Sequence, residues 1–251
     1  MAWSLPLAAN LTAGQDVAFL LLWLALAEVL FRKQRPFLAG MILSLCAAKF
    51  HLFLLLPVFI LVRREWRLGL GLASGGAILG AISGVLAGWD WPLQFVRTIS
   101  QQTINPHPWQ MQNLRGLLYQ APHAGILELL LAGLVVAIVC SIARRGTLNH
   151  AWCAMLVGGL LISHHSYLPD DAILIPAALS LAMTSRTGWL KFLAALPLIP
   201  VLYFFERVPA LSFLPTLAIV SLLVGIAIAI RMEEKAPEPE RQLANCPQTA
   251  G

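Results

Sequence analysis

The sequence predicts an all-α, polytopic membrane protein with about seven spanning helices and one re-entrant helical hairpin. Three observations predict it. The 251 residues are 59% hydrophobic and 12% charged, with a mean hydropathy of +0.76, whereas a soluble domain carries about 25% charged residues. Several apolar segments approach the roughly 20 residues needed to cross a bilayer. The basic residues sit in short connections between those segments, which is a topology signal and not a nucleic-acid face. Membrane lipids are expected partners, and nucleic acid is not.

In chain order, the N-terminal stretch MAWSLPLAANLTAG has no basic n-region and is too interrupted to span. The first span covers 14–31 and the hairpin 37–62. A Gly- and Ala-rich span follows over 68–88, a composition suited to close helix packing in lipid. An external loop occupies 89–123. Spans over 124–143, 151–163, 172–185, 189–205 and 211–230 complete one transmembrane domain, 1–231. The Pro- and Glu-rich remainder, 232–251, reads as a disordered tail. Cys46, Cys140, Cys153 and Cys246 lack CxxC spacing and read as small apolar residues.

The hairpin follows from Arg32 to Arg67. An apolar run lies between RKQR and RREWR and carries Lys49 and His51 in its middle. An ordinary span keeps its basic excess on one side. A Lys at the bilayer centre costs at least about 2.5 kcal/mol unless it lines a cavity or has a partner. A run that enters, breaks near Lys49-Phe50-His51 and returns meets both conditions. It implies a polar cavity with Lys49 and His51 at its floor. With this hairpin, 13 of the 17 basic residues fall on one side and three on the other; with an ordinary span the split is 6 against 10. The basic side is then the cytoplasmic face of the plasma (inner) membrane and holds the C-terminus. The opposite face receives Asp16, Asp90, Asp170, Asp171, Glu206, His107, His123, His164 and His165, with Glu128 near it.

The external loop has substructure. Trp91, Phe95, Val96 and Ile99 recur at helical spacing around Gln94, Arg97 and Thr98, as in a short interfacial helix. Asn105-Pro106-His107-Pro108 reads as a turn. Met111, Leu114, Leu117 and Leu118 form a second apolar stripe. About 35 residues exceed what a plain connection needs.

The densest chemistry is His164-His165-Ser166-Tyr167-Leu168-Pro169-Asp170-Asp171. Asp170 and Asp171 fit a helix-capping role. The same cluster fits a phosphate or sugar site with His as donor or proton shuttle. A metal site is the weaker reading, since no HxxxH pair occurs, and no metal is expected. Lys49 is a point charge for a phosphate. Arg115, beside Asn113, reads either as a solvated loop charge or as a phosphate ligand. Gln15 and Asp16 open the first span, where an N-cap is the simplest role.

Together GQDVAFLLLWLAL (14–26), the run over 39–67, MQNLRGLL (111–118) and SHHSYLPDDAILIPAAL (163–179) resemble glycosyltransferase family 87, of the GT-C membrane type. The family places Pro after its Lys; here Phe50 follows Lys49. The family's His, an Asp five residues on, and a later Pro match His165, Asp170 and Pro176. The resemblance implies sugar transfer, with inversion, from a polyprenyl-phosphate sugar such as polyprenyl-phosphate-mannose. The acceptor would be a lipid-linked or envelope glycan on the extracytoplasmic face, and no cofactor would be needed. His165 and Asp170, which match the family's motif, and the adjacent Asp171 are the expected catalytic residues, with Asp16, Asp170 or Asp171 standing in as base. Donor binding would fall to Lys49, His51, Arg115, Asn113, Gln15, Asp16, His164 and Tyr167. GT-C enzymes carry their base in a first external loop, which places this chain as a C-terminal portion with a missing N-terminal half or a catalytic partner. A transporter lined by Lys49, His51 and Asp170, or a non-catalytic subunit that binds lipid-linked sugar, are the competing readings.

Overall fold

The computed structural model describes residues 4–12, 14–99, 107–205 and 208–235. The expectations for Asn105, Pro106, Glu206, Arg207, Cys246 and the segment 236–251 lie outside them. Among the described residues every regular element is helical. Helix α1 spans Leu5–Thr12, α2 Val17–Arg32, α3 Pro36–Ser44, α4 Leu56–Arg63, α5 Trp66–Ala87, α6 Trp91–Ile99 and α7 Leu114–Leu117. Then come α8 Ala124–Arg145, α9 Leu148–Ile162, α10 Leu174–Thr184, α11 Gly188–Ala195, α12 Pro200–Phe204 and α13 Phe213–Lys235. 3₁₀ segments occupy Leu45–Phe53, Pro108–Gln110, Leu168–Ile173 and Leu196–Leu198.

Four described helical stretches have the length and apolarity to cross a membrane: Pro36–Phe53, Trp66–Ala87, Ala124–Arg145 and Phe213–Lys235. The first is α3 with its 3₁₀ continuation, so it belongs to the run expected to turn back. Helices α2, α9 and α10 are shorter, with 16, 15 and 11 residues. The continuous helix expected over 189–205 is three pieces, α11, a 3₁₀ turn and α12. Pro197 and Pro200 supply the reason, because neither has an N–H for the helical ladder and each restricts the residue before it. Ile199 is accordingly extended, at ψ 116°. At the C-terminus α13 continues to Lys235, so residues 232–235 are helical rather than part of a tail.

Helix α9 is the centre. Residues 150 to 161 are all buried, and α4, α8, α10 and α13 pack around it. A helix apolar on every side belongs in such a position. Thr147 starts it by accepting from the His150 N–H at 3.2 Å. Helix α5 is the opposite case. It packs mainly on α3 and turns Leu70, Ile78, Ile82, Val85 and Leu86 outward. Its Gly71 lies against the backbone carbonyl of Phe37, where a Cβ would collide. Small residues at such a crossing let two backbones approach closely.

The run between Arg32 and Arg67 carries Lys49 at one end of the bundle and both its flanks at the other. Arg32 bonds Glu28 at 2.7 Å and reaches Asn149 at 3.4 Å. Arg63 donates to the carbonyls of Ala143 and Gly146 at 3.2 and 3.1 Å. Both flanks therefore sit beside the α8–α9 connection. Lys49 instead meets Gln15 and Asp16 at the start of α2, about 24 Å from that helix's other end at 1.5 Å per residue. The backbone leaves helical geometry at Lys49 itself (φ −128°, ψ 52°), where the sequence predicts a break.

Candidate functional site

Three chain segments meet at Lys49. The 3₁₀ segment Leu45–Phe53 supplies Lys49 and His51, and Gly159 of α9 seats it. The Gly159 Cα faces the backbone carbonyl of Leu52 so closely that a Cβ would not fit. The turn before α2 supplies Gln15 and Asp16. The loop after α9 and its 3₁₀ turn supply His164 through Asp171.

Lys49 Nζ lies 2.5 Å from Asp170 Oδ1 and 3.3 Å from Asp16 Oδ1, and donates at 3.4 Å to Gln15 Oε1. The Lys49 and Asp170 side chains are 14% and 5% exposed, whereas Asp16 is 47% exposed. The cation thus has a tight, dry partner on one side and looser, wetter partners on the other. Where the sequence predicts an open cavity above Lys49, carboxylates fill the space next to its ammonium.

Asp170 has a second contact. Its Oδ2 accepts the Tyr167 N–H at 3.1 Å, and its own N–H donates to the Tyr167 carbonyl at 2.7 Å. The expected helix-starting role and the contact with Lys49 are therefore held by one carboxylate. Asp171 is fully buried. Asp16 precedes α2, but its side chain makes no cap bond and turns to Lys49. The cap comes from Asn10 of α1, whose Oδ1 accepts the Ala18 N–H at 3.2 Å.

The histidines gather beside the ion pair. The His51 ring lies 5.9 Å from both His164 and His165, and His165 lies 5.1 Å from Tyr167. His51 Nε2 is buried without a hydrogen-bond partner among the described residues. Burial, with the charge of Arg115, holds His164 below its ordinary value, and Glu128 opposes this. Burial also lowers His165, against the pull of Asp170, and His164, Lys49 and Arg115 add to the lowering. Both imidazoles are thus biased to the neutral form, able to accept or pass a proton. Burial pushes the Tyr167 phenol up, opposed by the His107 backbone and by Arg115. Arg115 therefore stands within electrostatic reach of the cluster. Among the described residues no group of three His, Cys, Asp or Glu is arranged to hold a metal.

Asn113 lies inside the framework and not on its open face. It is fully buried; its Oδ1 accepts the Gly116 N–H at 2.9 Å and its Nδ2 donates to the Ser163 carbonyl at 2.7 Å. It starts α7 and ties that helix to the end of α9. Ser163 Oγ in turn donates to the His165 carbonyl at 2.9 Å. Two hydrogen bonds thus separate Arg115's helix from the histidine loop.

Sequence reasoning missed α1, Asn10 and Ser163. A lone Asn in an apolar N-terminal stretch was the one available signal for the first two. The short helix expected in the external loop is present as α6, and Phe95 on it meets Phe50 with ring centroids 6.0 Å apart.

The sequence model of the family described as glycosyltransferase family 87 matches residues 1–166. That range includes Lys49, Arg115, His164 and His165 and ends four residues before Asp170. No curated protein and no solved structure matches the chain.

Proposed function

The chain belongs to glycosyltransferase family 87, and from that premise we propose that the Lys49 centre transfers a hexose, mannose first among candidates, from a polyprenyl-phosphate sugar to a lipid-linked or envelope glycan. The observation that carries the reading is the half-open environment of Lys49. Asp170 fixes the ammonium on its buried side, while Gln15 and the half-exposed Asp16 sit at longer range on the other. A donor phosphate enters on that looser side and takes the place of Asp16 and Gln15.

The chemistry then balances. The acceptor hydroxyl oxygen attacks the anomeric carbon, and the bond from that carbon to the phosphate oxygen breaks. The leaving phosphate gains charge, which Lys49 and Arg115 stabilise as fixed cations. The hydroxyl proton passes to a carboxylate of Asp170 or Asp171, or to neutral His165. His51, His164 and Tyr167 line the donor's polar end, and Asn113 holds Arg115 and the His loop in register. The donor carries its own activated bond, so the reading needs no cofactor.

The geometry of Arg32, Arg63 and Lys49 supports a re-entrant hairpin, since both flanks share one end of the bundle. The basic excess at that end supports a cytoplasmic placement, with the Lys49 centre and α6 facing the extracytoplasmic side of the plasma membrane. Cysteines at positions 33 and 64 should label from the same side of intact vesicles; labelling from opposite sides overturns the hairpin. Transfer of labelled mannose by the full chain in membranes tests the activity. Asp170→Asn should lower kcat at least about a hundredfold, as loss of a general base does, and unchanged transfer by Asp170→Asn removes it from the reaction.

A further inference from the structure

A cavity of about 510 Å³ opens at the end of the bundle opposite Lys49, lined by Leu26, Val29 and Leu30 of α2, Ile42 of α3, and Lys33 and Arg35 between them. Its size falls in the range of ligand sites. The α2–α3 turn builds it. The Lys33, Gln34 and Arg35 amides donate to the carbonyls of Val29, Phe31 and Leu30 at 3.0, 3.0 and 2.9 Å, and Gln34 takes φ +58°. That tight reversal sets two cations at the rim of an apolar wall. Three other cations at this end are engaged: Arg32 by Glu28, Arg63 by backbone carbonyls, and Arg145 by Glu234 at 3.6 Å. Lys33 and Arg35 have no ion pair among the described residues, and both are exposed.

We propose that this cavity binds one anionic glycerophospholipid, its phosphate between Lys33 and Arg35 and one acyl chain along Leu26, Val29, Leu30 and Ile42. The walls suit a hydrocarbon chain, and the rim suits a single anionic headgroup at the membrane surface. Basic pockets between membrane helices recognise lipid headgroups by this combination. The site is separate from the Lys49 centre, so it stands whether or not that centre transfers sugar.

Native mass spectrometry of the full chain in detergent, titrated with phosphatidylglycerol, phosphatidylcholine or inorganic phosphate, tests it. Two cations near the surface correspond to about a thirtyfold affinity difference. The Lys33→Ala/Arg35→Ala variant should lose about that factor for phosphatidylglycerol and leave phosphatidylcholine unchanged. Ile42→Trp fills the cavity with both cations intact and should also weaken phosphatidylglycerol binding. Arg64→Ala, a nearby cation outside the cavity, should bind as the parent does. Equal phosphatidylglycerol binding by the double variant and the parent overturns the site. So does parent binding of phosphatidylcholine as tight as phosphatidylglycerol. Full displacement of lipid by millimolar inorganic phosphate overturns the lipid assignment in favour of a phosphate site.

Discussion

The Lys49 ammonium meets the Asp170 carboxylate at 2.5 Å across 121 residues of chain. The pair ties the backbone break at Lys49 to the 3₁₀ turn after α9. Both side chains are largely withdrawn from solvent, so removing Lys49 leaves the buried Asp170 carboxylate without its counter-ion, whereas removing Asp170 leaves Lys49 only the half-exposed Asp16 at 3.3 Å. Lys49→Ala should destabilise the protein by about 3–5 kcal/mol, and Asp170→Ala by less, because Asp16 stays beside the ammonium. Lys49→Met with Asp170→Leu should recover most of that loss. Denaturant unfolding in mixed micelles measures it, and single variants within about 0.5 kcal/mol of the parent contradict a buried pair.

Asn113 separates framework from chemistry. Asn113→Ala removes the acceptor for Gly116 N–H and the donor to the Ser163 carbonyl, both buried. The expected cost is about 2–4 kcal/mol, from a lost helix cap and orphaned backbone groups. Asn113→Asp keeps the cap yet sets a carboxylate oxygen against the Ser163 carbonyl, so it should not rescue stability. Rescue by Asp, read in the same unfolding assay, contradicts the tie between α7 and α9.

The histidine loop gives the fold an acid-side weakness. His164 and His165 are held below their ordinary value of 6.5 in the folded protein. Below pH 6.5 the unfolded chain therefore binds more protons than the folded one, and stability falls as pH drops through 6.5 toward the folded values. Above 6.5 this contribution is complete and flat. The thermal midpoint should decrease between pH 7.5 and pH 5.5, and His165→Gln should make that decrease smaller. A midpoint that rises on acidification, with the rise lost in His165→Gln, contradicts the direction.

The membrane character and the break at Lys49 were legible because both are local. A cation twelve residues into an apolar run, with basic clusters at both flanks, constrains the chain wherever the partners are. The identity of the partner was not legible. Asp170 is far away in sequence and read equally well as a helix cap, and the structure gives it both contacts. Asp16 was read as a cap that Asn10 in fact provides, since α1 folds back onto the start of α2. The break at Pro197 and Pro200 was visible in the sequence, yet apolar content over 189–205 outweighed it. Gly159 carried no sign of its role, because the Leu52 carbonyl it accommodates approaches from another segment.

The central claim is that Lys49 holds a donor phosphate on its looser side. Equilibrium binding of polyprenyl-phosphate-mannose to the full chain in nanodiscs tests it most directly, with Lys49→Ala and Arg115→Ala compared with the parent. The expected result is donor binding weakened about tenfold or more in each variant, since a charge-assisted contact to phosphate contributes about 1.5–3 kcal/mol. Free polyprenol, which lacks the phosphate, should bind parent and variants alike. Donor affinity unchanged by loss of Lys49 contradicts the claim.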